Sequence, residues 1–329
     1  MSWWSPFSRS GQPKPAFSIV EYGATSIAID SIDFFGQFAR STNDQFLFAW
    51  QDSDYVGGQI GGHRSRGMGR VILISGGQPM WQRDLQRPND GAVANSGHCV
   101  VNDWLFGSGL RGKFYLLSPS GEFLIAARLS ANLLKCGITE DGKLAWCSTA
   151  RSDNKRDSEI ICVFTTDPPR QIFKTDSLYG DVASLTASPD DIHIVTEHGV
   201  TYRFSLLGKL LNADTVEAAI DSVQIEAGSC WELLEMVESR LKNIRGKENA
   251  DEVFELLKLA TERDPDRTMA ARIERLTGEL SYALGNKETA LTHFKTALEI
   301  DPKVGVKRIV SRLEKETGKS VGLNRANRS

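Results

Sequence analysis

Apolar spacing changes once along this chain, and no other feature limits its folds as much. As far as about Leu211, apolar residues alternate with polar ones or run in short β-branched and aromatic blocks. Beyond Gly228 they return every three or four positions. Residues two apart share a face of a strand, and residues three or four apart share a face of a helix. A chain with both rhythms in succession is expected to form two domains, and 329 residues are long for a single core.

The first part repeats a local pattern between about Phe34 and Leu211. Polar turns stand at Thr42-Asn43-Asp44, Asn95-Ser96-Gly97, Glu140-Asp141-Gly142 and Ser188-Pro189-Asp190-Asp191. Each follows one strand and starts another, beginning near Phe46, Cys99, Lys143 and Ile192. Asn, Asp and Gly suit such turns because they tolerate left-handed backbone or bond their own backbone. Third strands follow near Val71, Phe114, Ile160 and Val200, and fourth strands near Met80, Glu122, Arg170 and Lys209. The positions Asp44, Gly97, Gly142 and Asp190 lie 53, 45 and 48 residues apart, the spacing of a four-stranded blade. Two more strands, in Phe17–Tyr22 and Thr25–Ile29, either cap an edge or join residues near Val216–Ile225 in a fifth blade. On this architecture the body resembles β-propellers of the WD40 or related bacterial kinds, without the Gly-His and Trp-Asp marks of WD40 repeats. An open β-sandwich is the rival arrangement.

In the second part, Trp231, Leu234, Val237 and Leu241 lie along one helical stripe, and Ile273, Leu276, Leu280 and Leu284 along another. Helices are predicted near 229–244, 250–263, 269–284, 286–299 and 303–316. The stretch from Ala271 to Pro302, with Gly278, Gly285, Ala290, Phe294, Ala297 and Asp301-Pro302, resembles a tetratricopeptide (TPR) repeat, although the large aromatic early in its first helix is missing. The resemblance implies a close helix contact at Gly278, a turn between paired helices at Gly285, a facing surface of Ala290, Phe294 and Ala297, and a next helix opened by Asp301-Pro302. A weaker copy ends at Asp264-Pro265, 37 residues earlier. A plain helical bundle is the alternative.

The expected fold is an all-β propeller-like body of four to five blades followed by an all-α, TPR-like helical tail. The expected divisions are an N-terminal arm (1–15), the propeller-like domain (16–226), the TPR-like domain (227–317) and a flexible basic tail (318–329).

Composition closes several routes to function. A net charge of -3 argues against a chain built as a whole to hold polyanions. Eight Lys and Arg from Lys303 onward face only Glu314 and Glu316, yet no aromatics interleave with them, which argues against a nucleic-acid partner. No apolar run approaches the roughly 20 residues of a membrane span, and Met1–Phe7 lacks the pattern of a secretory signal. Cys99, Cys136, Cys147, Cys162 and Cys230 show no zinc spacing and several stand in apolar runs, as reduced core thiols of a cytoplasmic protein do.

No catalytic constellation, metal set or cofactor motif is evident, so catalysis is not expected. The segment Val56–Arg70 is rich in Gly but lacks the Gly-Lys-Ser/Thr ending of a phosphate loop. Its His63, Arg64, Arg66 and Arg70 are candidate partner contacts on a projecting loop. His63, His98, His193, His198 and His293 form no ligand pattern. Asp52, Asp54, Asp90, Asp103, Asp153, Asp157 and Asp181 could converge on one face of the body, or simply sit in solvated turns. In the tail, Arg272, Arg275 and Glu279 are candidates to line a peptide groove. The function expected is a protein-protein interaction or adaptor module with a protein partner. The alternatives are a ligand-sensing or enzymatic propeller and an immunity or accessory subunit of a toxin-like enzyme.

Overall fold

The computed structural model describes residues 17–54, 64–242 and 248–326. The arm at 1–15, most of the Gly-rich loop and His63 lie outside the described residues. The chain divides into two compact units, the first ending at Val216 and the second starting at Glu217.

The first unit holds four antiparallel sheets, each a run of consecutive strands. Sheet one contains β1 (Val20–Tyr22), β2 (Ser26–Ile29), β3 (Phe34–Arg40), β4 (Phe46–Gln51), β5 (Gly69–Ser75) and β6 (Gln78–Leu85). Sheet two contains β7 (Pro88–Val93), β8 (Cys99–Asp103), β9 (Gly112–Leu117) and β10 (Phe123–Leu129). Sheet three contains β11 (Leu133–Ile138), β12 (Leu144–Thr149), β13 (Ile160–Thr166) and β14 (Pro169–Asp176), and sheet four β15 (Val182–Ala187), β16 (Asp191–Thr196) and β17 (Thr201–Ser205). Strands β1 and β2 extend sheet one by pairing onto β3, which is the edge-capping arrangement. The fourth strand expected near Lys209 is reduced to a single bridge between Phe204 and Leu210.

Successive sheets pack on one another in chain order, with β7 against β4 and β11 against β7 and β8, a propeller-like succession of meanders. This packing explains the apolar blocks. The middle strands β4, β8, β12 and β13 are buried on both faces, so their runs are continuous rather than alternating. Phe114 of sheet two stacks on Phe164 of sheet three with ring centroids 4.7 Å apart. Each such buried side chain contributes about 1.5–3 kcal/mol.

Polar bonds stitch the sheets together at their turns and linkers. The Asn95 side chain accepts the Asn43 N–H at 2.9 Å, and the Asn95 N–H reaches the Glu140 carbonyl at 2.9 Å. Asp90 accepts the Cys136 N–H at 2.7 Å, and Asp157 the Ser130 N–H at 2.8 Å. Asp103 takes three N–H groups, those of Gln86, Arg87 and Leu105, at 3.1, 2.7 and 2.9 Å.

The helices are α1 (Ala213–Ala227), α2 (Cys230–Leu241), α3 (Glu248–Glu262), α4 (Arg267–Ala283), α5 (Lys287–Ile300) and α6 (Lys307–Ala326). Helix α1 corrects the reading of Val216–Ile225 as strand. Its Val and Ile suit either state, and its own spacing puts Val216, Ile220 and Val223 on one face. A capping box starts α2, with Ser229 and Glu232 exchanging side-chain bonds to backbone N–H groups. Asp266, not Asp264, caps α4. The stretch from Asp301 to Val306 is a turn, so α6 begins after the expected position and Pro302 precedes the helix. Helical backbone continues past Gly318, where a flexible end was expected.

The apolar core of this unit joins Leu233, Leu234 and Val237 of α2 to Val253, Leu256 and Leu257 of α3 and to Leu276 and Leu280 of α4. Gly278 lets α4 approach α5, since a Cβ there would stand 2.7 Å from the Phe294 ring. Ala290, Phe294 and Ala297 are all buried, on the face expected from the sequence.

Candidate functional site

The candidate residues separate into those the fold consumes and those it leaves available. Arg64 is 3% exposed and grips Asp52 with both guanidinium ends, at 3.0 Å from each carboxylate oxygen. Arg70 turns back to the carbonyls of Ile32 and Asp33 and to Gln51, with its guanidinium against the Phe34 ring. These two arginines are spent inside the fold, which corrects the expectation of a loop presenting all its arginines. The physical reason is that Arg64 precedes β5 and Arg70 lies at its start, where both meet acceptors on the chain around β3 and β4. Arg66 is exposed.

In the helical unit, Arg272 bonds Glu235 and Glu238, and Arg275 bonds Glu238 and Glu279. Arg272, Arg275 and Glu279 are thus members of a network linking α4 to α2. The Arg272 hydrogen bond, joined by the charge of Arg275, holds the Glu238 carboxyl below its ordinary range. Burial lifts the Glu279 carboxyl above its own. Half-exposed aromatics, Trp231 on α2 and Phe254 on α3, stand outside this network.

The aspartates do not converge on a cation site: no cluster of His, Cys, Asp and Glu among the described residues has the geometry for a metal. Instead Asp90, Asp103 and Asp157 bind backbone N–H groups between sheets. Burial raises the Asp90 and Asp103 carboxyls against the pull of those bonds. For Asp157 burial acts in the same sense, but the Ser130 N–H and Lys174 hold it below the ordinary range. All five cysteines are buried, and burial pushes the Cys99, Cys136 and Cys147 thiols up. His98, His193 and His293 bond Ser96, Asp191 and Glu274 respectively, far apart in the chain.

One cleft went unseen in the sequence. It lies between the first two sheets, has a volume of about 290 Å³, and is walled by Trp50, Trp104, Gln37, Asn89, Asp52 and Arg87. The indole N–H of Trp50 donates to Gln37 Oε1 at 3.1 Å, and that of Trp104 to the Leu133 carbonyl at 2.7 Å, which fixes both rings. Arg87 lies over Trp104, its guanidinium carbon 5.6 Å from the ring centroid. Its Nε stands 3.5 Å from Asp52. Spacing alone offered no signal, because the linker Gln86-Arg87 and the strand ends of β4 and β8 meet only when the sheets pack.

No protein-family model matches the chain, and no curated protein sequence matches it. Among solved structures, it is similar to HIRA(644-1017), with a TM-score of 0.38 and 13% identity over 85% of this chain and 92% of that one. It is also similar to KlAtg21 solved in complex with the coiled-coil of AgAtg16, with a TM-score of 0.34 and 10% identity over 55% of this chain and 59% of that one. The computationally designed Ika4 protein aligns with a TM-score of 0.33 and 12% identity over 59% of this chain and 98% of its own. At these TM-scores the three assign no activity, ligand or partner to this chain. No helix among the described residues is long and apolar enough to cross a membrane.

Proposed function

We propose that this protein is a non-catalytic interaction module whose partner is another protein. The observation that carries this reading is a division of labour among its side chains. Several titratable groups that could do chemistry (Asp90, Asp103, Asp157 and the cysteines) are tied to backbone or sealed in the core. Large apolar side chains stand in solvent instead, with Trp231 53% and Phe254 55% exposed on the helices and Leu207 90% exposed at a hairpin tip. Trp is enriched among the residues that dominate protein interfaces, and a contiguous patch of exposed apolar side chains marks a docking surface.

In this reading the sheets form a propeller that presents hairpin tips, and the helices act as a short TPR-like array. The Gly278–Phe294 contact, the left-handed turn at Gly285 and the buried Ala290 and Ala297 support the array. The test is affinity capture from native lysate with the full chain and with W231S/F254S. A stoichiometric protein partner retained by the full chain and lost by the folded double variant is expected. Capture of no stoichiometric partner, or equal capture by both, would overturn the reading.

A further inference from the structure

We propose that the cleft between the first two sheets is a binding site for a small organic carboxylate with a flat body and a hydrogen-bond donor. The case starts from Arg87. It is 6% exposed, and among the described residues its guanidinium donates no hydrogen bond. Its Nε is sealed from solvent without a partner. Its contacts are the long approach to Asp52 at 3.5 Å and the ring of Trp104. The sealed Nε is costly, because its desolvation is repaid only by the long approach to Asp52. The neighbouring Arg64 shows the contrast, since it spends its fork on Asp52 at 3.0 Å to both oxygens.

The shape of the unmet demand defines the ligand. A guanidinium is a planar fork, and the group that satisfies two of its N–H donors at once is a carboxylate or a phosphate. The local charges choose between them. Arg64 and Arg87 supply two positive charges, while Asp52 lines the cleft and Asp103 sits on the backbone N–H of Arg87. These charges cancel, so a second negative charge on the ligand is not compensated, which favours a carboxylate monoanion over the dianion of a phosphate monoester. The walls then specify the body: Trp50 and Trp104 are held by their own hydrogen bonds and offer flat apolar surfaces. Gln37 accepts from Trp50 through Oε1, which leaves its amide nitrogen to donate. Asn89 Oδ1 is buried with no partner and calls for a donor on the ligand. A cleft of about 290 Å³ admits one small aromatic or sugar-sized acid.

The probe is 4-hydroxybenzoate, a flat monoanion with one hydroxyl donor, titrated by calorimetry into the full-length protein. Its neutral isostere 4-hydroxybenzamide and inorganic phosphate are run beside it. The expected dissociation constant for the carboxylate is at or below about 5 mM, in keeping with a ligand of this size. The amide and the phosphate are expected to bind about tenfold more weakly, and R87Q to lose about tenfold for the carboxylate alone. W104A is expected to weaken the acid and the amide together by removing a wall both use. The wild-type comparison of acid with amide stands whether or not R87Q folds. Equal binding of acid and amide, tighter binding of phosphate, undiminished binding by a folded R87Q, or no heat from the acid up to about 20 mM would each overturn the site.

Discussion

The sheet unit and the helical unit join their layers with different bonds. In the sheets, hydrogen bonding is consumed strand by strand, and the groups left over are N–H groups at turns and linkers. Buried Asp side chains reach across to them, Asp103 to Gln86 and Arg87 and Asp157 to Ser130, as does the more exposed Asn95 to Asn43. In the helices, backbone groups are satisfied within each helix, so layers meet through apolar ridges and through side-chain ion pairs such as Arg272–Glu238. The Asp103 and Asp157 joins in the first unit are therefore buried and hard to replace. Those in the second are half-exposed and worth little individually.

The largest expected effect is common to both units. Phe114→Ala and Phe294→Ala each remove a ring that is at most 1% exposed, and each is expected to cost about 3–5 kcal/mol in chemical denaturation. A much smaller loss in one unit would show that its core closes over the gap. Next comes Asp103→Ala, which strands three N–H groups, two of them in the linker between sheets one and two, and is expected to cost about 3 kcal/mol. A loss below about 1 kcal/mol would mean that water replaces the carboxylate, and the contrast between the units would fail.

Two glycines then separate crowding from backbone strain. Gly121 and Gly285 both have left-handed backbone, with φ of 80° and 82°. A Cβ at Gly121 would lie 2.7 Å from the Trp81 ring, whereas at Gly285 it meets nothing within 4 Å. Gly285→Ala is expected to cost about 1 kcal/mol, the strain alone. Gly121→Ala is expected to cost about 3 kcal/mol, because Trp81 is pinned by its bond to the Pro119 carbonyl and cannot retreat. Equal losses would show that the ring does move.

The smallest effect is a pH dependence in the helical unit. Because Arg272 and Arg275 hold the Glu238 carboxyl below its ordinary value of 4.5, its contribution is complete above that value. It is lost as pH falls through the lower folded-state value, since protonation then removes the pair. Glu238→Gln is expected to cost about 1 kcal/mol at neutral pH and nothing in strong acid. An unchanged difference between wild type and variant across that range would remove the network from the account of stability.

Much of this was legible in advance. The four turn positions, the strands that follow them and the Gly278–Phe294 pairing were readable because each depends on residues near one another in the chain. Helix α1 was misread because its Val and Ile serve either element, and the neighbouring sheet suggested the wrong one. Arg64 and Arg70 were placed on a loop because their partners, Asp52 and the Ile32 and Asp33 carbonyls, come from other stretches of the chain. Arg272 and Arg275 were offered to a groove because the α2 glutamates they bond sit more than thirty residues earlier.

Sequence alone determined that a strand region gives way to a helical one, because periodicity and turn chemistry are local and each stretch must bury its own apolar face. Only the tertiary structure decided which charges are spent and which are spare. Whether a buried guanidinium such as Arg87 finds an acceptor depends on what neighbouring sheets bring within 3 Å, and no spacing along the chain records that.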